Sequence, residues 1–297
     1  MPEKSPQGKK VIIVTAVSIN GTITAAEEAK IPVFDHGFLY GDSIYETIRT
    51  YGKAPFLLKE HLERLARSGQ AIELTIPFTL EECAAEMKRL AHHVEAEEYL
   101  YRVMVTRGEG KPGYRLDKLQ KPTTVMICFE FKGFSPEYYR KGITLYTATV
   151  KRNDVACLNP AIKSGNLLNV RLAYMDAHRK GGDEALMLNL NNEIAECSSS
   201  NVFFVREGVL LTPALESGLL PGITRQFILR LALEIGITAR EERLPADIIS
   251  GCSECFVSST IKALLPVRKV DETLFACPGE ITGRLMEAFG RATRQSG

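Results

Sequence analysis

The sequence predicts a mixed α/β (α+β) chain of two domains with a cleft between them. Stretches with period-two alternation and stretches with helical spacing are interleaved along the whole length, the pattern of sheets covered by helices. A break at Lys132-Gly133-Phe134-Ser135-Pro136 interrupts them near the middle. The 297 residues are long enough for two compact domains or one large one, and the break favours two. It divides the chain into residues 1–131, a linker at 132–141 and residues 142–297.

The elements follow in order. Residues 11–17 form an apolar run ending at the turn Ser18-Ile19-Asn20-Gly21, which reads as a first strand rather than an export signal. Residues 43–51 alternate as a strand. After Pro55, Leu58, Leu62 and Leu65 recur at helical spacing. Thr79-Leu80-Glu81-Glu82 is a capping-box start, with Ala84, Met87 and Ala91 as the buried stripe. Residues 99–107 and 123–131 are strands joined by a glycine-rich loop. Past the break, residues 143–150 make a strand, and 166–178 a helix with Leu168, Leu172 and Met175 on one face. Residues 185–190 and 194–205 form a pair about Asn191-Asn192. Pro221-Gly222 opens a helix that Gly236 stops. A strand at 254–258 and a helix at 281–292 complete the reading.

Composition excludes several classes of function. A net charge of +1 favours neither nucleic acid nor an acidic membrane. No apolar run approaches a membrane span. Seven scattered cysteines, with one Cys252-x-x-Cys255 and no second pair or nearby histidine, predict reduced thiols in a cytoplasmic protein and no metal site.

Several residues could carry chemistry. Lys163, in Asn159-Pro160-Ala161-Ile162-Lys163-Ser164-Gly165-Asn166, has apolar cover and a helix start just after it. Both disfavour an ammonium, and a neutral amine is what Schiff-base formation needs; the alternative is a solvated lysine. Glu196 lies in an uncharged strand and must find a cation or donors, unless it faces water at an edge. A pyridinium nitrogen would serve. Gly222-Ile223-Thr224 opens a helix, and Ser258-Ser259-Thr260 follows a strand. Both offer amides and hydroxyls to a phosphate, or merely cap their helices. Arg64 could add a cation, or pair with Glu60 on the surface. Tyr45, Thr47, Arg49 and Tyr51 share one strand face suited to a carboxylate, or to water; Arg102 lies on a later strand, with Arg107 on its opposite face.

Taken together, the residues resemble the fold-type-IV, or class IV, pyridoxal-phosphate (PLP) enzymes. The resemblance runs from about Val17 to Phe289. It rests on the order of 34–42, Glu60-His61-Leu62-Glu63-Arg64-Leu65, 159–164, 196–203, Leu220-Pro221-Gly222-Ile223-Thr224-Arg225 and Ser258-Ser259-Thr260. It implies a small α/β domain, a linker and a larger cofactor-binding domain with a barrel-like sheet, paired as a homodimer that completes the pocket. It further implies that Lys163 holds PLP covalently and Glu196 meets the pyridine nitrogen. Arg64, Ile223, Thr224, Ser259 and Thr260 would hold the phosphate, with Tyr40, Tyr45 and Arg49 on the substrate side.

Within that family three activities remain open. Tyr45 to Arg49, Arg102 and Pro266-Val267-Arg268 resemble branched-chain aminotransferases, which would exchange the amino group of L-leucine, L-isoleucine or L-valine with 2-oxoglutarate. Leu168, five residues after the lysine, stands where those enzymes usually carry tyrosine, and is similar to D-amino-acid transaminases; their Arg-x-His clamp is absent from residues 109–115. Thr106-Arg107-Gly108-Glu109-Gly110 resembles the aminodeoxychorismate lyases.

Overall fold

The computed structural model describes residues 15–116 and 121–295; the first four residues of the expected strand at 11–17 lie outside them. The N-terminal part is built from β1 (Thr15–Ile19), β2 (Thr22–Ala25), α1 (His36–Tyr40), β3 (Ser43–Tyr51), β4 (Ala54–Pro55), α2 (Leu58–Ala71), α3 (Leu80–Ala91), β5 (Tyr99–Thr106) and β6 (Thr123–Glu130). The six strands pair antiparallel in the order β2-β1-β6-β5-β3-β4. Alternation sorts β3 as the sequence predicts. Ile44, Glu46, Ile48 and Thr50 are buried, while Tyr45, Thr47, Arg49 and Tyr51 are half-buried on the other face. Ile44 and Ile48 join Leu65, Met87, Leu90, Tyr101, Val103 and Val105 in the core under α2 and α3. Each such side chain contributes roughly 1.5–3 kcal/mol by leaving water. The capping box at Thr79 and Glu82 is present, each side chain accepting from the other's backbone N–H.

The second part comprises α4 (Pro136–Lys141), β7 (Ile143–Thr147), α5 (Leu168–Arg179), β8 (Glu184–Leu188), β9 (Ile194–Cys197), β10 (Asn201–Arg206), β11 (Val209–Pro213), α6 (Ile223–Glu234), β12 (Ala239–Glu242), β13 (Glu254–Ser259), β14 (Ala263–Val270), β15 (Thr273–Leu274) and α7 (Glu280–Gln295). The main path is β12-β11-β10-β13-β14-β7-β8-β9, with β15 paired to β14. Although β9 ends this path, it lies beside β10 and β11, so the sheet curls into a half-closed barrel. Val202, Phe204 and Val257 pack in one core; Phe203, Val205 and Phe256 pack with α6 and α7 on the other face. The Phe203 and Phe256 rings stack at 4.7 Å.

Some elements differ from the sequence reading. β14 contains Pro266, which argues against a central strand, but Pro266 lies just before the first pair with β7, Val267 with Ile143, so that ladder loses no donor. β12 is an exposed, charged edge strand with no apolar pattern to announce it. A helix, α4, occupies the segment expected as linker, with Tyr139 packed against the second sheet's core. The apolar stripe of α5 also faces outward: Leu168 is 71% exposed, Leu172 42% and Met175 44%. The helix packs instead through Ala173 and Ala177 against Ala185 and Met187, because small side chains allow closer approach to β8. Among the described residues, no helix is long and apolar enough to cross a membrane.

Candidate active site

A cavity of about 350 Å³ opens between the two sheets, and most of the residues singled out in the sequence line it. Lys163 enters from the segment before α5. Its backbone is fixed on both sides: Lys163 N–H donates to Ser68 Oγ at 3.1 Å, and Tyr45 N–H donates to the Lys163 carbonyl at 3.0 Å. Gly165 N–H then donates to the Ser43 carbonyl at 2.8 Å, so the lysine segment runs as a short extra strand beside β3. The amine lies 4.5 Å from the centre of the Tyr45 ring.

Glu196, on β9, is 6% exposed, which removes the reading of an edge glutamate facing water. Arg152 Nε donates to its Oε1 at 2.8 Å. Leu220 N–H at 3.1 Å and Asn201 Nδ2 at 3.4 Å donate to its Oε2. Burial pushes the Glu196 carboxyl up, against the charge and bond of Arg152, the Leu220 amide and the charge of Lys163.

Arg64 lines the same cavity from α2, but its partner is Glu46 rather than Glu60. Arg64 Nε donates to Glu46 Oε1 at 2.7 Å, and Nη2 to Oε2 at 2.8 Å. His61 Nδ1 lies 2.8 Å from the same carboxylate. Burial raises the Glu46 carboxyl, but Arg64 and His61 outweigh it and hold it at about 2. Burial also pushes the His61 imidazole down, against the pull of Glu46. Arg64 Nη1 donates to the Pro221 carbonyl at 2.9 Å, which sets the guanidinium beside the start of α6.

That helix start is bare. Gly222 caps α6 without a side chain, leaving early amides without a side-chain acceptor. A Cβ at Gly222 would meet Asn201 Oδ1 at 1.9 Å, so only glycine permits the approach. Ile223 and Thr224 follow at the cavity wall, with Ser258, Ser259 and Thr260 also lining it. Ser258 Oγ is buried with no hydrogen-bond partner. Amides at a helix start, several hydroxyls and a guanidinium form a donor set that fits a phosphate. A carboxylate at Glu196 fits a protonated ring nitrogen, and the Lys163 amine fits an aldehyde, so the residues present suit PLP as a whole.

The expected substrate residues divide. Tyr45, Thr47 and Arg102 line the cavity. Arg102 stands opposite Thr47 in the β3–β5 register, its guanidinium 3.9 Å from the centre of the Tyr45 ring. Arg49 does not line it. Its guanidinium rests on the Tyr51 and Phe131 rings at 4.4 and 4.6 Å, and Nη1 donates to the Ile261 carbonyl at 3.3 Å. Strand twist and the aromatic pair draw Arg49 aside although it shares the face of Tyr45. Tyr40 also lies outside the lining; its hydroxyl accepts from Gly113 N–H at 2.9 Å. Arg107 donates to Asp42 and to the Ile72 and Glu73 carbonyls, away from the cavity.

Sequence reasoning missed Arg152, Asn201 and the role of Glu46. Glu46 did leave a signal: a carboxylate between Ile44 and Ile48 on a buried face needs a cation, and Arg64 and His61 share a helix face. Arg152 and Asn201 left none: Arg152 reaches Glu196 from a segment bonded to the Leu188 carbonyl of β8, the neighbour of β9, and Asn201 returns to it across the turn at residues 198–200.

Known proteins resemble this chain over most of its length. The sequence model of the amino-transferase class IV family matches residues 43–270. A Methanocaldococcus jannaschii protein, provisionally named a branched-chain-amino-acid aminotransferase, is 37% identical over 275 residues, covering 92% of this chain and 94% of that one. A D-alanine aminotransferase of Listeria monocytogenes is 31% identical, again over 92% of this chain and 94% of its own. The T.th. branched-chain amino acid aminotransferase, solved with pyridoxamine 5'-phosphate, superposes with a TM-score of 0.88 at 30% identity, covering 96% of each chain. The same enzyme has been solved with N-(5'-phosphopyridoxyl)-L-glutamate and with 4-methylvaleric acid. The chain belongs to the class IV aminotransferases and has the fold-type-IV architecture of these pyridoxal-phosphate enzymes.

Proposed function

We propose that this chain transfers the amino group of L-branched-chain amino acids to 2-oxoglutarate, using PLP held at Lys163. The observation that carries the reading is the placement of Arg102 and the Lys163 amine on the ring of Tyr45, at 3.9 and 4.5 Å. It sets a cation for a distal carboxylate close to the reacting amine. The names of the relatives support the same reading, and the T.th. enzyme accommodates both a glutamate derivative and a branched aliphatic acid.

When bound, PLP supplies the electron sink that stabilises the charge left as the α-proton departs. Arg64, the amides of Ile223 and Thr224, and the hydroxyls of Thr224, Ser259 and Thr260 would hold the phosphate. Glu196, fixed by Arg152, Asn201 and the Leu220 amide, would bond the ring nitrogen and keep a proton there. The Lys163 amine would hold the cofactor's aldehyde. When free, its Nζ would take the substrate's α-proton and give it up again, acting as base and then acid. Tyr45 and Thr47 form a wall for an aliphatic chain, and Arg102 pairs with the second carboxylate of the acceptor.

The exposed stripe of Leu168, Leu172 and Met175, with Phe38 71% exposed, fits a homodimer, in which Tyr40 would serve the substrate side of the partner's pocket. A cytoplasmic setting suits the seven free cysteines. A second reading, D-amino-acid transamination, is favoured by Leu168 and by the D-alanine aminotransferase relative. Initial rates with L-leucine and 2-oxoglutarate test the first reading: parallel double-reciprocal lines are expected for the two half-reactions, and intersecting lines or no turnover would contradict it.

A further inference from the structure

Two turns meet at the cavity wall: residues 198–200 between β9 and β10, and residues 260–262 between β13 and β14, with Ser259 ending β13. Lys262 does not line the cavity, yet its side chain joins the two. Lys262 Nζ donates to Glu184 Oε2 at 2.6 Å, Ser199 Oγ at 2.7 Å and Ser200 Oγ at 2.8 Å. Glu184, on β8 and 2% exposed, accepts from Ser199 N–H at 2.6 Å, from Ser199 Oγ at 2.9 Å and from Ser200 Oγ at 3.0 Å. The ammonium therefore has three acceptors, and the carboxylate holds the first turn by its backbone as well as its hydroxyls.

The main chain of the second turn is anchored in the same place. Tyr139 hydroxyl donates to the Lys262 carbonyl at 3.0 Å, and Arg49 donates to the Ile261 carbonyl. Lys262 N–H donates to Ser259 Oγ at 3.2 Å, which fixes the rotamer of a hydroxyl at the cavity wall. Charge-assisted bonds to a nearly buried carboxylate are stronger than neutral ones and hold geometry tightly. Among the described residues, the network reaches the cavity through Ser199, Ser200, Ser259 and Ile261, while Lys163 and Glu196 are bonded to other partners.

We propose that Lys262, locked by Glu184, is a positioning residue that sets Ser259 and the turn carrying Thr260 for the cofactor phosphate. This rests on the reading that PLP places its phosphate between that turn and the start of α6. The same ion pair holds residues 198–200, which follow directly on the strand of Glu196, so one network ties the second turn to β9.

The test uses the holoenzyme, Lys262→Met, and the double variant Lys262→Met with Glu184→Gln, which leaves no unpaired buried charge. The rate of PLP release into a trap and the 31P resonance of the bound phosphate are measured beside thermal stability. The expected result is PLP release about tenfold faster and a shifted 31P resonance in both variants, with Lys262→Arg restoring both toward wild type. A folded double variant with the wild-type release rate and 31P resonance would overturn the proposal while leaving the PLP reading intact. A wild-type protein that binds no PLP would overturn both.

Discussion

Arg64 and Glu46 meet through two parallel hydrogen bonds, at 2.7 and 2.8 Å, with the side chains 5% and 0% exposed. The arginine that lines the cavity beside the start of α6 is thus set from behind by a carboxylate on the buried face of β3. Because Glu46 is held at about 2, below its ordinary 4.5, its ionised form is favoured by folding. The sign follows: the contribution is fully present above pH 4.5 and is lost as pH falls from 4.5 toward 2. Glu46→Gln should lower stability by on the order of 3 kcal/mol at neutral pH, since it leaves a buried guanidinium without its counter-charge. It should also flatten the acid side of the stability curve. Chemical denaturation from about pH 3 to neutrality checks this, and a variant with the wild-type pH dependence would show that Glu46 is not the titrating group.

Lys163→Ala should abolish turnover while PLP still binds without a covalent link, because the donors at the start of α6 and at residues 258–260 and the Glu196 carboxylate remain in the cavity. Absorbance and activity of the reconstituted variant check this together. Turnover near the wild-type rate would remove Lys163 from its role.

Arg152 and Glu196 form the second buried pair that matters. Burial raises the Glu196 carboxyl, and Arg152 is the main force against it. Replacing Arg152 with methionine should raise that carboxyl further and move the acid limb of the kcat profile to higher pH. Glu196→Ala should slow turnover by orders of magnitude at neutral pH. An unmoved acid limb in the first variant would mean that Arg152 acts only by packing.

Substrate choice separates the two arginines that the sequence left undecided. Arg102→Ala should raise KM for 2-oxoglutarate far more than for L-leucine, by about a hundredfold, the loss of roughly 2–3 kcal/mol. Arg49→Ala should instead lower stability, through the Tyr51 and Phe131 rings and the Ile261 carbonyl, with a smaller effect on KM. Steady-state kinetics with both substrates decide it; the reverse pattern would return the carboxylate to Arg49.

Much of this arrangement is legible in the sequence alone. Period two places Tyr45 and Thr47 on the cavity face, and the order of motifs brings Lys163, Glu196, Arg64, Ile223, Thr224, Ser259 and Thr260 to one cavity. What is not legible depends on direction rather than pattern. Strand periodicity assigns a face, but not where a long guanidinium ends, so Arg49 and Arg102 look equivalent in the sequence. Helical spacing gives the stripe of α5 but not its orientation, because Ala173 and Ala177 pack better against β8 than the larger side chains do. The Arg152–Glu196 pair spans 44 residues and depends on the chain after β7 running beside β8, where Arg152 N–H donates to the Leu188 carbonyl.

The most direct measurement follows the visible cofactor spectrum of the purified protein as L-valine, D-alanine and L-glutamate are added separately. L-valine and L-glutamate should each convert the absorption of the bound PLP to that of its aminated form, and D-alanine should leave it unchanged. A response to D-alanine with none to L-valine would contradict the branched-chain reading and leave the D-amino-acid activity in its place.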